Sequence, residues 1–523
     1  MSRDHEAPGG GPRSPEAGGA AERAIAAGLA ALERARAEAP RELVLGEVGT
    51  VRAVSHGVAL VTGLPGVTAG ETVAFRGGAL GVVSELREDA VGVVLLRGAR
   101  TLAAGASAYR TGRVLDVPVG DGLLGRVVDG LGEPIDGRGP LEATARLPVE
   151  RPATPIVDRA PVSVPLHTGV KVVDALFPIG RGQRELIVGD RQTGKTTLAL
   201  TAVLAQRDTG VLCVYCSVGR RGAEVAQVVD RLRRAGAMAY TTVVVAPAEA
   251  EPGMRQVAPF AAMSVAEAWM EAGRHVLVVL DDLVQHARAH REVSLLLRRP
   301  PGREAYPGDV FYLHARLLER ATQLRPERGG GSLTALPVVE TQERDLAAYI
   351  PTNLISITDG QIVLSAELFR RGQLPAVDVG LSVSRVGGKA QLPAYRAVAG
   401  GVRLSYAQFE ELEEFARLGA DLDESTRQTL ARGRRVREVL KQGALETVPV
   451  ARQVATLLAV DEGVFDQAPV EALRAIEAAV YRELTFRAPE LARRVEDGEP
   501  LGNADRAALL ELAREAVARA LEG

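Results

Sequence analysis

The sequence is poor in several residue types that mark particular classes of protein. Aromatic residues make up 4% of its 523 positions, and there are two cysteines, Cys213 and Cys216. With so few aromatic side chains, the hydrophobic cores must be built from Ala, Val and Leu. No apolar run approaches the roughly 18 residues that a membrane helix needs, so no spanning segment is predicted. The amino terminus also lacks a signal-peptide pattern, and a cytoplasmic protein is expected.

Charge of one sign is not in excess either. The chain carries 63 basic and 66 acidic side chains, for a net charge of −3, which argues against nucleic acid as a direct partner. Lysine is the scarce basic residue, because arginine supplies almost all of the positive charge. The lysines are Lys171, Lys195, Lys389 and Lys441. A lysine kept in an arginine-rich chain indicates a place where a compact ammonium fits and a planar guanidinium does not.

The most informative run surrounds Lys195 and fits the phosphate-loop pattern of Gly, four residues, Gly-Lys-Thr. Its residues are Gly189, Asp190, Arg191, Gln192, Thr193, Gly194, Lys195 and Thr196. A β-rich run, 185–188, precedes it and a helical run, 197–205, follows it. This arrangement directs backbone N–H groups and a helix N-terminus at anionic oxygens. We therefore predict that these residues and Thr197 bind the phosphates of a nucleotide, with the Thr196 hydroxyl facing Mg²⁺.

A second part of the site is predicted at the end of another strand. The apolar run 276–280 is followed by Asp281 and Asp282. A carboxylate at the end of such a strand is the usual partner of a phosphate loop, since it holds the shell of Mg²⁺ beside the loop's threonine. Asp281 comes first after the strand, so it is predicted to serve the metal, through water.

Three other patterns have interpretations that involve no ligand. Cys213 and Cys216 lie three apart in a predicted buried strand and should point to opposite faces, which argues against a disulfide or a metal site. His286 and His290 lie four apart on a predicted helix, where a solvated face is favoured over a metal pair. Residues 355–364 are predicted to form a hairpin with an Asp-Gly turn.

Changes in pattern along the chain divide it into four zones. Residues 1–42 are predicted to be a disordered tail and an amphipathic helix. Closely spaced short strands in 43–112 indicate a small antiparallel β-barrel. Strands alternating with helices in 113–394 indicate an α/β domain with a mainly parallel sheet. Residues 395–523 contain helical patterns, which predict an all-α domain.

Several long runs resemble one family, the α subunit of the rotary F-type ATP synthase. The runs are 294–314, 329–337, 349–353, 355–361 and 379–387, within a match that extends from about residue 45 to about residue 485. The resemblance implies that the central domain is RecA-like, that the helices form a C-terminal bundle, and that ATP or ADP and Mg²⁺ are bound.

The same resemblance implies partners and a place in the cell. The family forms a hexamer of alternating α and β subunits around a rotating γ shaft, held by a peripheral stalk. It couples ATP synthesis or hydrolysis to H⁺ or Na⁺ transport. The expected location is the cytoplasmic face of the bacterial inner membrane, with membrane contact only through the complex.

Two arginines define the expected role within that complex. Where catalytic β subunits carry the Glu that polarises the attacking water, this chain has Arg220, and a cation cannot accept a proton from water. The isolated chain should therefore bind Mg-ATP and be nearly inactive, as a regulatory subunit. Arg220 would contact the γ-phosphate or point to solvent. Arg385 matches the family's arginine finger, which acts on the neighbouring β site.

The chain also departs from the family at the adenine pocket. The family's Arg-Pro is here Leu374-Pro375, and its Gln-Gly-Gln is here Gln442-Gly443-Ala444. Gln442 is still predicted to contact the nucleotide, but two polar groups are missing. The departures suggest a diverged α subunit of the kind found in alternative F-type operons linked with Na⁺ transport.

Three alternative functions would require residues that this sequence lacks, or would not require residues that it keeps. A self-sufficient RecA-type hexameric ATPase, such as a secretion ATPase, should carry a carboxylate at Arg220. A Rho-like nucleic-acid translocase should have a basic, aromatic barrel, but 43–111 contains one Phe, one Tyr, no Lys and no Trp. A purely structural subunit would not need Lys195, Thr196 and Asp281.

Overall fold

The first described domain is a closed barrel of six antiparallel strands in the order β1-β2-β5-β4-β3-β6. Its strands are β1 (Val48–Ser55), β2 (Val58–Thr62), β3 (Glu71–Phe75), β4 (Leu80–Leu86), β5 (Val91–Arg97) and β6 (Ser107–Val114). Valine, leucine and alanine fill its interior, as the low aromatic content predicted. The sequence did not indicate β6, because most of its side chains are polar and exposed.

The protein is seen here in a computed structural model that describes residues 28–29, 46–143, 145–417 and 423–522. Residues from Val48 onward form one compact unit. The predicted tail and amphipathic helix at 1–42 lie outside the described residues, except for Gly28 and Leu29, which are helical. In the part of the chain that is described, no helix is long and apolar enough to cross a membrane.

The central domain is built on a ten-stranded sheet whose main path runs β20-β19-β13-β18-β16-β14-β15-β8. Neighbours from β19 to β8 are parallel, and β20 is antiparallel at the edge. The strands from β7 to β13 are β7 (Asp116–Val119), β8 (Val127–Asp129), β9 (Ala145–Pro148), β10 (Arg159–Ala160), β11 (Pro165–Leu166), β12 (Ile179–Gly180) and β13 (Glu185–Asp190). The remaining strands are β14 (Val211–Val218), β15 (Thr241–Ala246), β16 (His275–Asp281), β17 (Thr322–Leu324), β18 (Ser332–Thr341), β19 (Gly360–Leu364) and β20 (Val383–Ser384).

Helices cover this sheet, and apolar cores lie against its two faces. The helices are α1 (Lys171–Leu176), α2 (Lys195–Leu204), α3 (Gly222–Arg234), α4 (Pro252–Glu271), α5 (Leu283–Leu296), α6 (Val310–Leu318), α7 (Tyr349–Ile357) and α8 (Ala366–Arg370). Cys213 belongs to one core and Cys216 to the other, and both thiols are free and buried. The prediction that they face opposite sides of a buried strand is therefore confirmed.

The described part of the C-terminal domain consists of helices joined by loops. Its helices are α9 (Pro393–Arg417), α10 (Glu424–Leu440), α11 (Val450–Asp461), α12 (Leu473–Arg487), α13 (Pro489–Glu496) and α14 (Asn503–Glu522). The Asp423 carboxylate caps α10 by accepting a hydrogen bond from the Thr426 N–H at 2.7 Å. The predicted order of barrel, α/β domain and helical domain is thus confirmed, while the residue limits given for the zones stay predictions.

Two local predictions are wrong. Residues 355–357 end helix α7 and only 360–364 form a strand, so there is no hairpin at 355–364. His286 and His290 are buried, at 0% and 4% exposure, instead of lying on a solvated face. Helix α5 is enclosed because it packs between α4 and the sheet. Among the described residues no group of three or more His, Cys, Asp or Glu side chains is arranged to hold a metal.

Candidate functional site

The predicted phosphate loop joins the end of β13 to the start of α2, as the sequence indicated. A Cβ atom at Gly189 would lie 2.5 Å from the carbonyl oxygen of Leu364, so only glycine fits beside β19. Gly194 has φ of +99° and is the residue directly before α2. This left-handed conformation favours glycine, and it turns the chain so that the N-terminus of α2 opens onto the loop.

The loop is anchored by the side chain and the carbonyl of Asp190. Its carboxylate accepts hydrogen bonds from the Thr341 hydroxyl at 2.7 Å and from the Arg344 N–H at 2.9 Å. Its carbonyl accepts from the Thr193 hydroxyl at 2.8 Å and from the Lys195 ammonium at 2.5 Å. The loop is therefore preorganised by contacts with the end of β18. Neither Thr341 nor Arg344 could be found from the sequence pattern, because both lie about 150 positions away from the loop.

Lys195 is the first residue of α2, and 4% of its surface is exposed. Burial lowers the pKa of its ammonium, partly opposed by the nearby Glu340 and Asp282 carboxylates. A buried ammonium held only by a carbonyl is available to bind an anion, since charge-assisted hydrogen bonds to phosphate oxygens are stronger than bonds to neutral acceptors.

Asp281 ends β16 beside the loop, and its carboxylate is 1% exposed. One oxygen, Oδ2, accepts hydrogen bonds from the Thr196 hydroxyl at 2.9 Å and from the Tyr215 hydroxyl at 2.7 Å. The other, Oδ1, accepts from Nη2 of Arg220 at 2.6 Å. Thr196 and Asp281 are thus brought together as predicted, but the sequence did not indicate Tyr215. The lone tyrosine of β14 was the available signal, on the strand that pairs with β16.

Arg220 follows β14 and forms an ion pair with Asp281, so it does not simply point to solvent. Its contact with the γ-phosphate stays a prediction. Burial by itself disfavours the charged guanidinium, but the charge and hydrogen bond of Asp281 outweigh it and hold the pKa of Arg220 above its usual value. Burial also raises the pKa of Tyr215 well above its usual value, so its hydroxyl remains a donor. The chain therefore places a permanent cation where a hydrolytic enzyme has a base.

This arrangement does not fit Mg²⁺ coordinated directly by Asp281, whereas the contact through water that the sequence predicted stays a prediction. Mg²⁺ needs oxygen ligands in near-octahedral geometry and is usually bound through one or two carboxylates together with phosphate oxygens. Here the carboxylate predicted to serve the metal already accepts three hydrogen bonds, one of them from a cation. A dication at this point would have to displace the guanidinium.

A largely apolar cavity of about 220 Å³ lies between the loop and the C-terminal domain. Thr193, Gly194 and Thr197 of the loop region line it together with Leu374 and Ala444. Leu374 and Ala444 are the two positions at which the sequence departs from the polar residues of the family's adenine pocket. An apolar cavity beside a phosphate loop fits a flat heterocyclic base, which is held by contact area more than by hydrogen bonds.

Gln442 also lines this cavity, but its amide is already used. Its Oε1 accepts from the Lys171 N–H at 3.0 Å. Its Nε2 donates to the carbonyl oxygens of Gly169 at 2.7 Å and Glu446 at 2.5 Å. Because both amide hydrogens are engaged, Gln442 has no donor left for a base. Its amide braces the cavity wall, and the expectation that Gln442 also contacts the nucleotide stays a prediction.

Arg385 lies away from this chain's own loop, directly after β20 at the edge of the sheet, and it is exposed. Its guanidinium donates to the carbonyl oxygens of Thr358 and Ile355, the latter at 3.2 Å. Its backbone N–H donates to the Asp359 carbonyl at 3.0 Å. In the described part of the chain no carboxylate forms an ion pair with it, so its charge is presented at the surface without a neutralising partner.

Comparison with known proteins follows the same three domains. The model described as "ATP synthase alpha/beta family, beta-barrel domain" matches residues 44–112. The nucleotide-binding domain model of the same family matches residues 169–384, and the model "ATP synthase alpha/beta chain, C terminal domain" matches residues 391–516.

Curated relatives match over most of their length. ATP synthase subunit alpha 2 of Albidiferax ferrireducens is 56% identical over 490 residues, covering 94% of this chain and 92% of the relative. ATP synthase subunit alpha 2 of Polaromonas naphthalenivorans is 58% identical, covering 90% and 91%. ATP synthase subunit alpha 1 of Shewanella frigidimarina is 54% identical, covering 93% and 94%. With three matching domains and relatives of this similarity, the chain belongs to the ATP synthase alpha/beta family and is similar to its alpha subunits.

Proposed function

We propose that this chain is the regulatory, largely non-catalytic alpha subunit of a rotary F-type ATP synthase. It binds ATP or ADP at its own phosphate loop and supplies Arg385 to the catalytic site of a neighbouring beta subunit. The complex couples ATP synthesis or hydrolysis to the transport of H⁺ or Na⁺. The predicted role of Thr196 and Asp281 toward Mg²⁺ is part of the family pattern, and the ion pair of Arg220 with Asp281 weighs against it.

The single observation that carries the proposal is the guanidinium of Arg220 beside the loop. Hydrolysis needs a group that orients or deprotonates water near the γ-phosphate. The side chain at that point is a cation with a raised pKa, paired with the one carboxylate that faces the loop's threonine. A site of this kind can bind a triphosphate but has no base at the usual place. This also disfavours a self-sufficient secretion-type or Rho-like ATPase.

Arg385 supports the second half of the proposal. An arginine finger must present a charged guanidinium at a surface, without a carboxylate that would neutralise it. The side chain of Arg385 is exposed and oriented by backbone carbonyl oxygens, which fix its direction and leave its charge intact. Such geometry serves a phosphate on a neighbouring subunit.

The remaining parts of the proposal come from the family and the named relatives. The expected partners are the beta subunit, the gamma shaft and the peripheral stalk, in a peripheral complex at the cytoplasmic face of the bacterial inner membrane. The barrel region 43–111 contains one Phe, one Tyr, no Lys and no Trp, which argues against nucleic acid as a ligand.

The test is phosphate release from ATP by the purified full chain alone and after reconstitution with its beta and gamma partners. We expect the chain alone to show at most about one-thousandth of the turnover of the reconstituted complex, in line with the size of an arginine-finger effect. Turnover by the chain alone that approaches the complex would refute the non-catalytic role. A Lys195→Ala chain serves as the background control for contaminating ATPase.

A further inference from the structure

A second cavity beside the phosphate loop is lined by several guanidinium groups. This polar cavity of about 260 Å³ is lined by Arg191, Arg220, Arg221 and Arg288, with the carboxylates of Glu224, Asp282 and Glu340 also in its wall. Arg220 is the member that reaches the Asp281 carboxylate at the end of β16. Four guanidinium groups around one small cavity are the pattern of an anion site, since arginine binds phosphate through several N–H groups at once.

Arg220 has binding capacity that the protein does not use. Nη2 donates to Asp281, and Nη1 is 3.9 Å from the Glu224 carboxylate, which is beyond hydrogen-bond distance. Nε is buried and has no hydrogen-bond partner among the described residues. A buried N–H without a partner costs free energy, so it indicates an acceptor that arrives with a ligand.

Arg220 is joined to the phosphate loop through Asp281. The Asp281 carboxylate accepts hydrogen bonds from Nη2 of Arg220 at 2.6 Å and from the Thr196 hydroxyl at 2.9 Å, and Thr196 directly follows Lys195. In the usual site of this kind, a dication neutralises the Asp carboxylate and bridges it to the phosphates. Here Arg220 neutralises Asp281 by a direct ion pair.

We propose that Arg220 takes the place of the divalent cation at this site, so that the chain binds the triphosphate of ATP with little dependence on Mg²⁺. One edge of the Arg220 guanidinium binds Asp281, and its remaining N–H groups bind a phosphate oxygen beside Lys195. The proposal rests on the proposed function, because it specifies the form of the nucleotide that this same site takes. It also explains why the site keeps its loop and its Asp while lacking a base.

The experiment measures ATP affinity of the full chain by isothermal titration calorimetry in EDTA and in excess Mg²⁺. For the unaltered chain we expect the two dissociation constants to agree within about threefold, whereas loss of a needed charge-assisted contact would change them by about tenfold or more. ATP binding that appears only with Mg²⁺ would overturn this inference and leave the proposed function intact. No ATP binding under either condition would refute the nucleotide site itself.

The variant Arg220→Gln sharpens the test, because it removes the charge and keeps a polar, hydrogen-bonding side chain at this position. Asp281 is then left without a cation and repels the phosphates unless a metal is present. We expect ATP affinity in EDTA to fall about tenfold or more and to recover in Mg²⁺. Arg234→Gln is the control. Arg234 forms an ion pair with Asp230 at the C-terminal end of α3, the helix that begins two residues after Arg220, so its replacement should change neither dissociation constant.

Mn²⁺ gives a second readout that does not depend on activity. We expect the Arg220→Gln chain with bound ATP to hold one Mn²⁺ more tightly than ATP in solution does, as measured by electron paramagnetic resonance. The unaltered chain should show no such gain. Tight Mn²⁺ binding by the unaltered chain with ATP would contradict the replacement of the metal by Arg220.

Discussion

Replacing Gln442 by alanine distinguishes the two roles that this side chain could have. The sequence predicted a contact with the nucleotide, whereas the structure uses its amide to brace the backbone at Lys171, Gly169 and Glu446. Gln442→Ala removes all three hydrogen bonds at once. It leaves the Lys171 N–H and the Glu446 carbonyl without partners, and the Gly169 carbonyl with only the Val448 N–H at 2.9 Å, in a wall that is 8% exposed at Gln442.

The expected cost follows from those three groups. A buried polar group without a partner costs about 1–3 kcal/mol, and alanine leaves room for water to satisfy part of the set. We therefore expect the free energy of unfolding to fall by about 3 kcal/mol in the absence of nucleotide. ATP and GTP affinities should fall by the same factor, because the wall of the cavity loosens but no base contact is lost.

The measurement combines urea unfolding with calorimetric titration of ATP and GTP. Trp269 is the only tryptophan of the sequence and is buried in the central domain, so its fluorescence reports unfolding of the domain that contains the site. Gln361→Ala is the matched control, since that half-buried amide makes a single bond, to Leu381, at 3.3 Å. Unchanged stability together with an altered ATP to GTP preference would refute the bracing role and restore the base contact.

Three further predictions test other parts of the molecule. In the reconstituted complex, Arg385→Ala should leave assembly intact on size-exclusion chromatography and lower ATP turnover by about 10³-fold or more; near-normal turnover would contradict the finger. Burial lowers the pKa of His286 to about 3 and that of His314 well below its usual value, so stability is full above about pH 6.5 and is lost as pH falls toward 3. Protonation of His286 should cost about 2 kcal/mol at pH 5 in urea titrations, and His314→Phe should remove the further pH dependence of stability that His314 contributes. Lys171→Met removes one of the two cations paired with the buried Glu477 and leaves Arg452 as the other, so it should cost less than the about 3 kcal/mol of a fully uncompensated charge. Adding Glu477→Gln should recover part of that loss; no recovery would rule out the carboxylate charge as the cause.

The architecture followed from patterns that are local in the sequence. Short Val-rich runs broken by glycine predicted the barrel, and apolar runs alternating with helical ones predicted the parallel sheet. The phosphate loop could be found from the run around Lys195, because its glycines and its lysine are contiguous. Asp281 could be found because strand ends meet at one edge of a parallel sheet.

Errors arose where burial depends on distant neighbours. His286 and His290 look like a helix face open to solvent, but the packing of α4 over α5 encloses them. The Asp-Gly pair in 355–364 looks like a hairpin turn, but the preceding residues continue a helix that packs on the central core. Periodicity within one segment carries no information about what covers that segment.

The sequence by itself determined the family, the order of domains, the loop around Lys195 and the absence of a base at Arg220. It left open where the guanidinium of Arg220 points and which protein groups the amide of Gln442 contacts. Only the tertiary structure decided both, because β14 and β16 bring Arg220 to Asp281 across the sheet, and the C-terminal domain brings Gln442 to the backbone of residues 169–171. A side chain's chemistry can be read from its identity, but its partner is chosen by segments that are distant in sequence and adjacent only after folding.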